Sequence, residues 1–168
     1  MILELLAAAK PAGGAALDQV AIATVGATVV TALLLWLISG HRNGKVQHLT
    51  RAAALSERAT GLPGWAALPL GLAGVSLIVA LLGMYWDIAL HIGVGRDEGP
   101  LANPAHYLIL VGLYGVFAAG ILAIALPLTG ERPGPAAIKI QRDWYAPVGG
   151  TLIAACGGFA LIGFPLDV

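Results

Sequence analysis

Four stretches of this chain are long enough, and empty enough of charge, to cross a lipid bilayer. Residues 20–39, 65–86, 104–128 and 146–166 contain no Asp, Glu, Lys or Arg. A hydrocarbon core of roughly 30 Å needs about 20 apolar residues in an α-helix at about 1.5 Å per residue. Each run meets that length. The backbone inside a membrane must satisfy its own hydrogen bonds, so spanning segments are helices or closed barrels. None of the four alternates with a period of two over ten-residue blocks, which excludes the barrel pattern. The expectation is an all-α, polytopic membrane protein. Its single domain covers residues 1–168, with transmembrane helices at about 20–39, 65–92, 104–128 and 146–166. Composition agrees: 58% of the 168 residues are hydrophobic and 11% charged, against about 25% charged in a soluble domain. Nine basic and nine acidic residues cancel, so charge gives no reason to expect a nucleic-acid partner.

The basic residues set the orientation. Arg42, Lys45, Arg51 and Arg58 fall between the first two spans, and Arg132, Lys139 and Arg142 between the last two. Only Lys10 and Arg96 lie on the other side. Positive loops stay in the cytoplasm, so both termini and the 93–103 loop face outward. Trp36, Trp65, Trp144 and Tyr145 mark the inner interface, and Tyr85, Trp86 and Tyr107 the outer one. Residues 1–9 are apolar but short, and read as an interfacial segment before the Pro11–Gly14 turn. Residues 46–60 mix Val46, Leu49, Ala53 and Ala54 with Arg51 and Arg58; they read as a short amphipathic helix on the inner surface. Residues 129–135 hold two glycines and two prolines, a connector without helix. The small residues of the last span, Gly149-Gly150 and Gly157-Gly158, suit close helix packing. Cys156, the one cysteine, closes no internal disulfide and reads as a packing residue.

Ionisable groups are costly inside a membrane, by about 2.5–3.5 kcal/mol at a helix centre, so those near the spans point to function. Asp87 and His91 stand four residues apart near the outward end of the second span, which puts their Cβ atoms on one helix face about 6 Å apart. Asn103 and Pro104 form an N-cap followed by a first helical residue. His106 then falls in the first turn of the third span, at the same depth. One carboxylate and two imidazoles from two antiparallel helices suit a transition metal: copper, zinc or iron. In the joining loop, Asp97 and Glu98 can orient a ring nitrogen as outer hydrogen-bond acceptors, and Arg96 can pair with either. The plainer alternative is that Asp87 and His91 hydrogen-bond one another at a wet helix end, with His106 an interfacial residue. His41 and His48, in a basic loop, read as solvated surface residues.

The run Asp87-Ile-Ala-Leu-His91-Ile-Gly-Val-Gly-Arg96-Asp97, followed by Pro104-Ala-His106, resembles the metal-site segment of the C subunit of particulate methane and ammonia monooxygenases. The resemblance covers about 25 residues. It implies that Asp87, His91 and His106 are copper ligands on the outer side of the membrane, accompanied by Arg96 and Asp97. The loop before the second His is about two residues longer here. A longer resemblance links the chain to uncharacterised multi-spanning bacterial membrane proteins with the same segment; it extends through Asp143-Trp-Tyr-Ala-Pro-Val-Gly-Gly150 to Gly163-Phe-Pro-Leu-Asp167. It implies a multi-pass protein of the bacterial plasma membrane. In those proteins the last run opens a second motif, so the chain is expected to be the N-terminal part of a longer repeat protein, with Asp167 the counterpart of Asp87.

Three functional classes follow. The first is a copper-dependent, monooxygenase-like membrane subunit, or a homologue that only holds the metal. The second is a transporter component, which the absence of ionisable residues from the span centres argues against. The third is an assembly subunit without a site. Expected partners are the lipid bilayer and either other membrane subunits or further copies of the chain.

Overall fold

The computed structural model describes residues 16–95 and 99–167. It is an all-helical protein with a small hairpin. The elements in chain order are α1 (Leu17–Arg42), α2 (His48–Thr60), α3 (Gly64–Val94), α4 (Pro104–Ala125), β1 (Ile138–Gln141), β2 (Trp144–Ala146) and α5 (Val148–Asp167). Helices α1, α3, α4 and α5 are each long and apolar enough to cross a membrane, as the charge-free runs predict. The interfacial segment and turn expected within residues 1–14 lie outside the described residues, as do Arg96, Asp97 and Glu98.

The helices end where local chemistry stops them. Gly61 closes α2 at φ 74°, a left-handed conformation that glycine adopts without steric cost. Pro63 and Gly64 then start α3. Helix α4 begins at Pro104 behind Asn103, whose side-chain oxygen accepts from the Ala105 N–H at 2.9 Å. It ends at Ala125, two residues before Pro127, somewhat short of the expected 128. Helix α1 continues past residue 39 to include His41 and Arg42 in its last turn.

Lipid tails are as apolar as leucine, so packing and not the hydrophobic effect holds membrane helices together. The main contacts are α3 with α4 and α4 with α5, and glycines permit them. A Cβ on Gly112 of α4 would stand 2.6 Å from Ala80 and from the Ser76 carbonyl of α3, and one on Gly83 of α3 would stand 2.8 Å from the Ile109 nitrogen. On the other side of α4, Gly120 lies against the Ala154 backbone, and a Cβ on Gly157 of α5 would stand 2.7 Å from the Phe117 nitrogen. The packing role expected of the α5 glycines therefore belongs to Gly150 and Gly157; Gly149 faces open space. Helix α1 is the outlier. Val25, Leu33 and Trp36 are more than half exposed, an apolar face suited to lipid.

Contacts at its two ends hold α1 to the bundle. At its start, Gln19 Oε1 accepts from the Leu101 N–H at 2.8 Å. At its finish, the Arg42 guanidinium donates to the carbonyls of Ala125 and Pro127 at 3.2 and 2.9 Å and stacks 3.9 Å from the Trp144 ring. The Trp144 indole N–H donates to the Ile124 carbonyl at 2.8 Å. Arg42 and Trp144 together satisfy carbonyls that the last turn of α4 leaves without partners.

The antiparallel β1–β2 hairpin is an addition to the expected loop. Ile138 pairs with Ala146 and Lys139 with Tyr145, with an irregularity before Gln141 pairs with Trp144. Its two-residue turn holds Arg142 at φ 43°, and only Pro147 separates the hairpin from α5.

Candidate functional site

The outward-expected ends of α3, α4 and α5 meet around Asp87. Its side chain is 13% exposed, that of His91 33% and that of His106 fully buried. Asp87 Oδ1 stands 2.9 Å from His106 Nε2, and Asp87 Oδ2 stands 3.4 Å from His91 Nδ1. The carboxylate thus touches both imidazoles, one with each oxygen. A helix spacing of four brings His91 to Asp87, and the N-terminal turn of α4 brings His106 across to it. The third helix contributes packing: Phe164 of α5 meets the His106 ring edge-on at 5.1 Å between centroids.

A backbone carbonyl and a side-chain amide fix this geometry. The Pro100 carbonyl lies 3.2 Å from His106 Nδ1. A carbonyl has no proton to give, so Nδ1 donates, and Nε2 is turned toward Asp87. Asn103 does more than cap α4. Its Nδ2 donates to Asp87 Oδ1 at 2.7 Å, while its Oδ1 holds the Ala105 N–H. The amide therefore locks the start of α4 to the end of α3 and is only 3% exposed. The sequence pattern marks Asn103 as a cap; its bond to Asp87 depends on how the two helices lie together.

The donor set can be tested against a metal ion from this geometry. A carboxylate and two imidazoles are chemically apt ligands, and a histidine that donates its other N–H to a backbone carbonyl is the usual arrangement around a bound ion. Position is less complete. The His91 and His106 ring centroids lie 6.4 Å apart, farther than two rings in a tetrahedral arrangement, or at adjacent corners of a square one, on one ion with bonds of about 2.0–2.1 Å. Among the described residues no group of three or more His, Cys, Asp or Glu side chains already stands in coordinating geometry. Asp87 reaches both rings, and His91 is a third exposed. The side chain of Asp167 lies outside the described residues.

No family model, curated protein or solved structure matches the chain.

At the opposite end of the bundle, His41 departs from expectation. It is 5% exposed, because α2 folds back over the end of α1. Its Nδ1 lies 3.4 Å from Thr50 Oγ1, and it borders a cavity of about 260 Å³ shared with Glu57, Trp65 and Glu131. Both carboxylates there cap backbone N–H groups: Glu57 accepts from Gly64 at 3.2 Å, and Glu131 from Leu128 at 3.0 Å. His48 is exposed, as its loop position predicts.

Proposed function

We propose that Asp87, His91 and His106 form a transition-metal site, with copper the preferred ion, in a multi-pass protein of the bacterial plasma membrane. The observation that carries this reading is the single Asp87 carboxylate reaching two imidazoles, one of them fully buried and oriented through its far nitrogen by a backbone carbonyl. The resemblance of the same three positions to the ligand segment of the monooxygenase C subunit supports copper over zinc or iron and a site at the outer face. Bound copper would supply one-electron redox chemistry and affinity for dioxygen. The protein's part is to hold the ion. Asp87 would give the charge, His106 a nitrogen oriented by the Pro100 carbonyl, and His91 a second nitrogen. Asn103 holds the carboxylate in place, and Phe164 shields the His106 ring. On this reading the chain is a monooxygenase-like or metal-holding subunit, and Arg96 and Asp97 match the pair that accompanies the ligands in the segment it resembles.

Metal analysis of the purified protein tests the proposal. After loading with copper or zinc and desalting, the wild type should retain about one copper per chain. Asp87→Ala and His106→Ala should retain none, and His91→Ala should bind more weakly while keeping its helix content. Copper retained equally by all three variants would place the ion elsewhere and refute the assignment.

A further inference from the structure

The hairpin at the opposite end of the molecule carries basic residues that form no ion pair among the described residues. The Arg132 guanidinium lies 4.7 Å from the centroid of the Tyr145 ring and donates to the Tyr145 hydroxyl at 3.3 Å. The Lys139 ammonium lies 6.0 Å from the same ring, brought there because Lys139 and Tyr145 are cross-strand partners. Two cations are thus gathered at one aromatic ring, and among the described residues no carboxylate pairs with either. Of the acids nearby, Glu131 accepts from the Leu128 N–H, and Asp143 shares the hairpin turn with Arg142. Arg142 adds a third exposed basic residue at the hairpin turn.

The other face of β1 is apolar. Side chains alternate along a strand, so Ile138 points away from Lys139; Ile138 and Ile140, the latter at the irregularity in the ladder, are 40% and 45% exposed. A two-stranded hairpin is marginally stable alone in water. This one is fixed in place by Trp144 on the α4 carbonyl and runs into α5 through Pro147 alone, so it lies at the level where the helices leave the bilayer. An amphipathic element at that depth, with isoleucines on one face and unpaired cations on the other, matches the boundary between acyl chains and headgroups.

We infer that the β1–β2 hairpin binds the phosphate headgroup of an anionic phospholipid in the inner leaflet, through Arg132 and Lys139 above Tyr145, with Ile138 and Ile140 against the acyl region. An anion between the two cations relieves their mutual repulsion, and the hairpin gains the apolar cover that it lacks in water. The site is independent of the Asp87 cluster.

The test uses the full-length chain in detergent micelles doped with equal amounts of phosphatidylglycerol and phosphatidylcholine, with retained lipid measured by mass spectrometry after exchange. The wild type should retain phosphatidylglycerol in preference to phosphatidylcholine. Each basic residue near an anionic surface contributes about fivefold in affinity, so the Arg132→Gln/Lys139→Gln double variant should lose roughly 25-fold of that preference. The Arg51→Gln/Arg58→Gln double variant, which removes the same charge from α2, should keep it. Lys139→Gln alone serves if the hairpin double variant loses helix content, with an expected loss of about fivefold. Equal retention of the two lipids by the wild type overturns the inference, as does equal loss in both double variants. Displacement of the lipid by millimolar glycerol phosphate also overturns it, since the site would then be one for a soluble phosphate.

Discussion

Asn103 shows how much one amide can carry. It caps α4 through Ala105 and holds Asp87 with its other end. A cap is worth about 0.5–2 kcal/mol, and a hydrogen bond to a charged group about 1.5–3 kcal/mol. Asn103→Ala should therefore cost about 2–5 kcal/mol, read from unfolding in mixed dodecyl sulfate micelles. Asn103→Asp should keep the cap yet set a second carboxylate against Asp87, so its loss should shrink at high salt or when a cation binds. Among the candidate site residues, Asp87, His91 and His106 were legible in the sequence, because helical spacing and the Asn-Pro start of α4 fix their depth. The roles of Pro100 and Phe164 were not. One acts through a backbone carbonyl, the other through an interhelical packing contact, and neither leaves a local pattern. His41 misled for a similar reason: a histidine in a basic loop reads as solvated until α2 is seen to cover it.

At the scale of elements, glycine positions decide how the helices approach. Gly120 lies against the Ala154 backbone, whereas Gly149 meets nothing within 4 Å. Overpacking costs about 1–3 kcal/mol, so Gly120→Ala should destabilise the bundle by that amount, and Gly149→Ala should leave it unchanged or slightly firmer. Circular dichroism during the same micelle titration distinguishes the two. Arg42 makes the matching prediction at the far end of α4. Its two carbonyl bonds and its stack on Trp144 give Arg42→Ala an expected cost of about 2 kcal/mol. Arg42→Lys should restore only part of it, since an ammonium lacks the planar fork that stacks and bridges. The spans were legible because absence of charge over about 20 residues has few other meanings. The hairpin was not. Its turn is Arg142-Asp143, with Arg142 at φ 43°, where a strong hairpin signal would place Gly or Asn.

Across the whole molecule, the two ends of the bundle differ in chemistry. One gathers Asp87, His91 and His106 under the α3–α4 connection; the other gathers the basic loops, α2 and the hairpin. By the positive-inside rule the first end is expected to face outward. In a Cys156→Ala background, Glu98→Cys should react with an impermeant maleimide on intact cells and Arg58→Cys only after permeabilisation. The central claim is that one ion at the outer end is bound through both histidines that Asp87 touches, and electron paramagnetic resonance of the copper-loaded protein measures this most directly. The account predicts hyperfine coupling to two imidazole nitrogens in the wild type, falling to one in His91→Ala. A spectrum without nitrogen coupling, or a two-nitrogen spectrum that persists in both His91→Ala and His106→Ala, would contradict it.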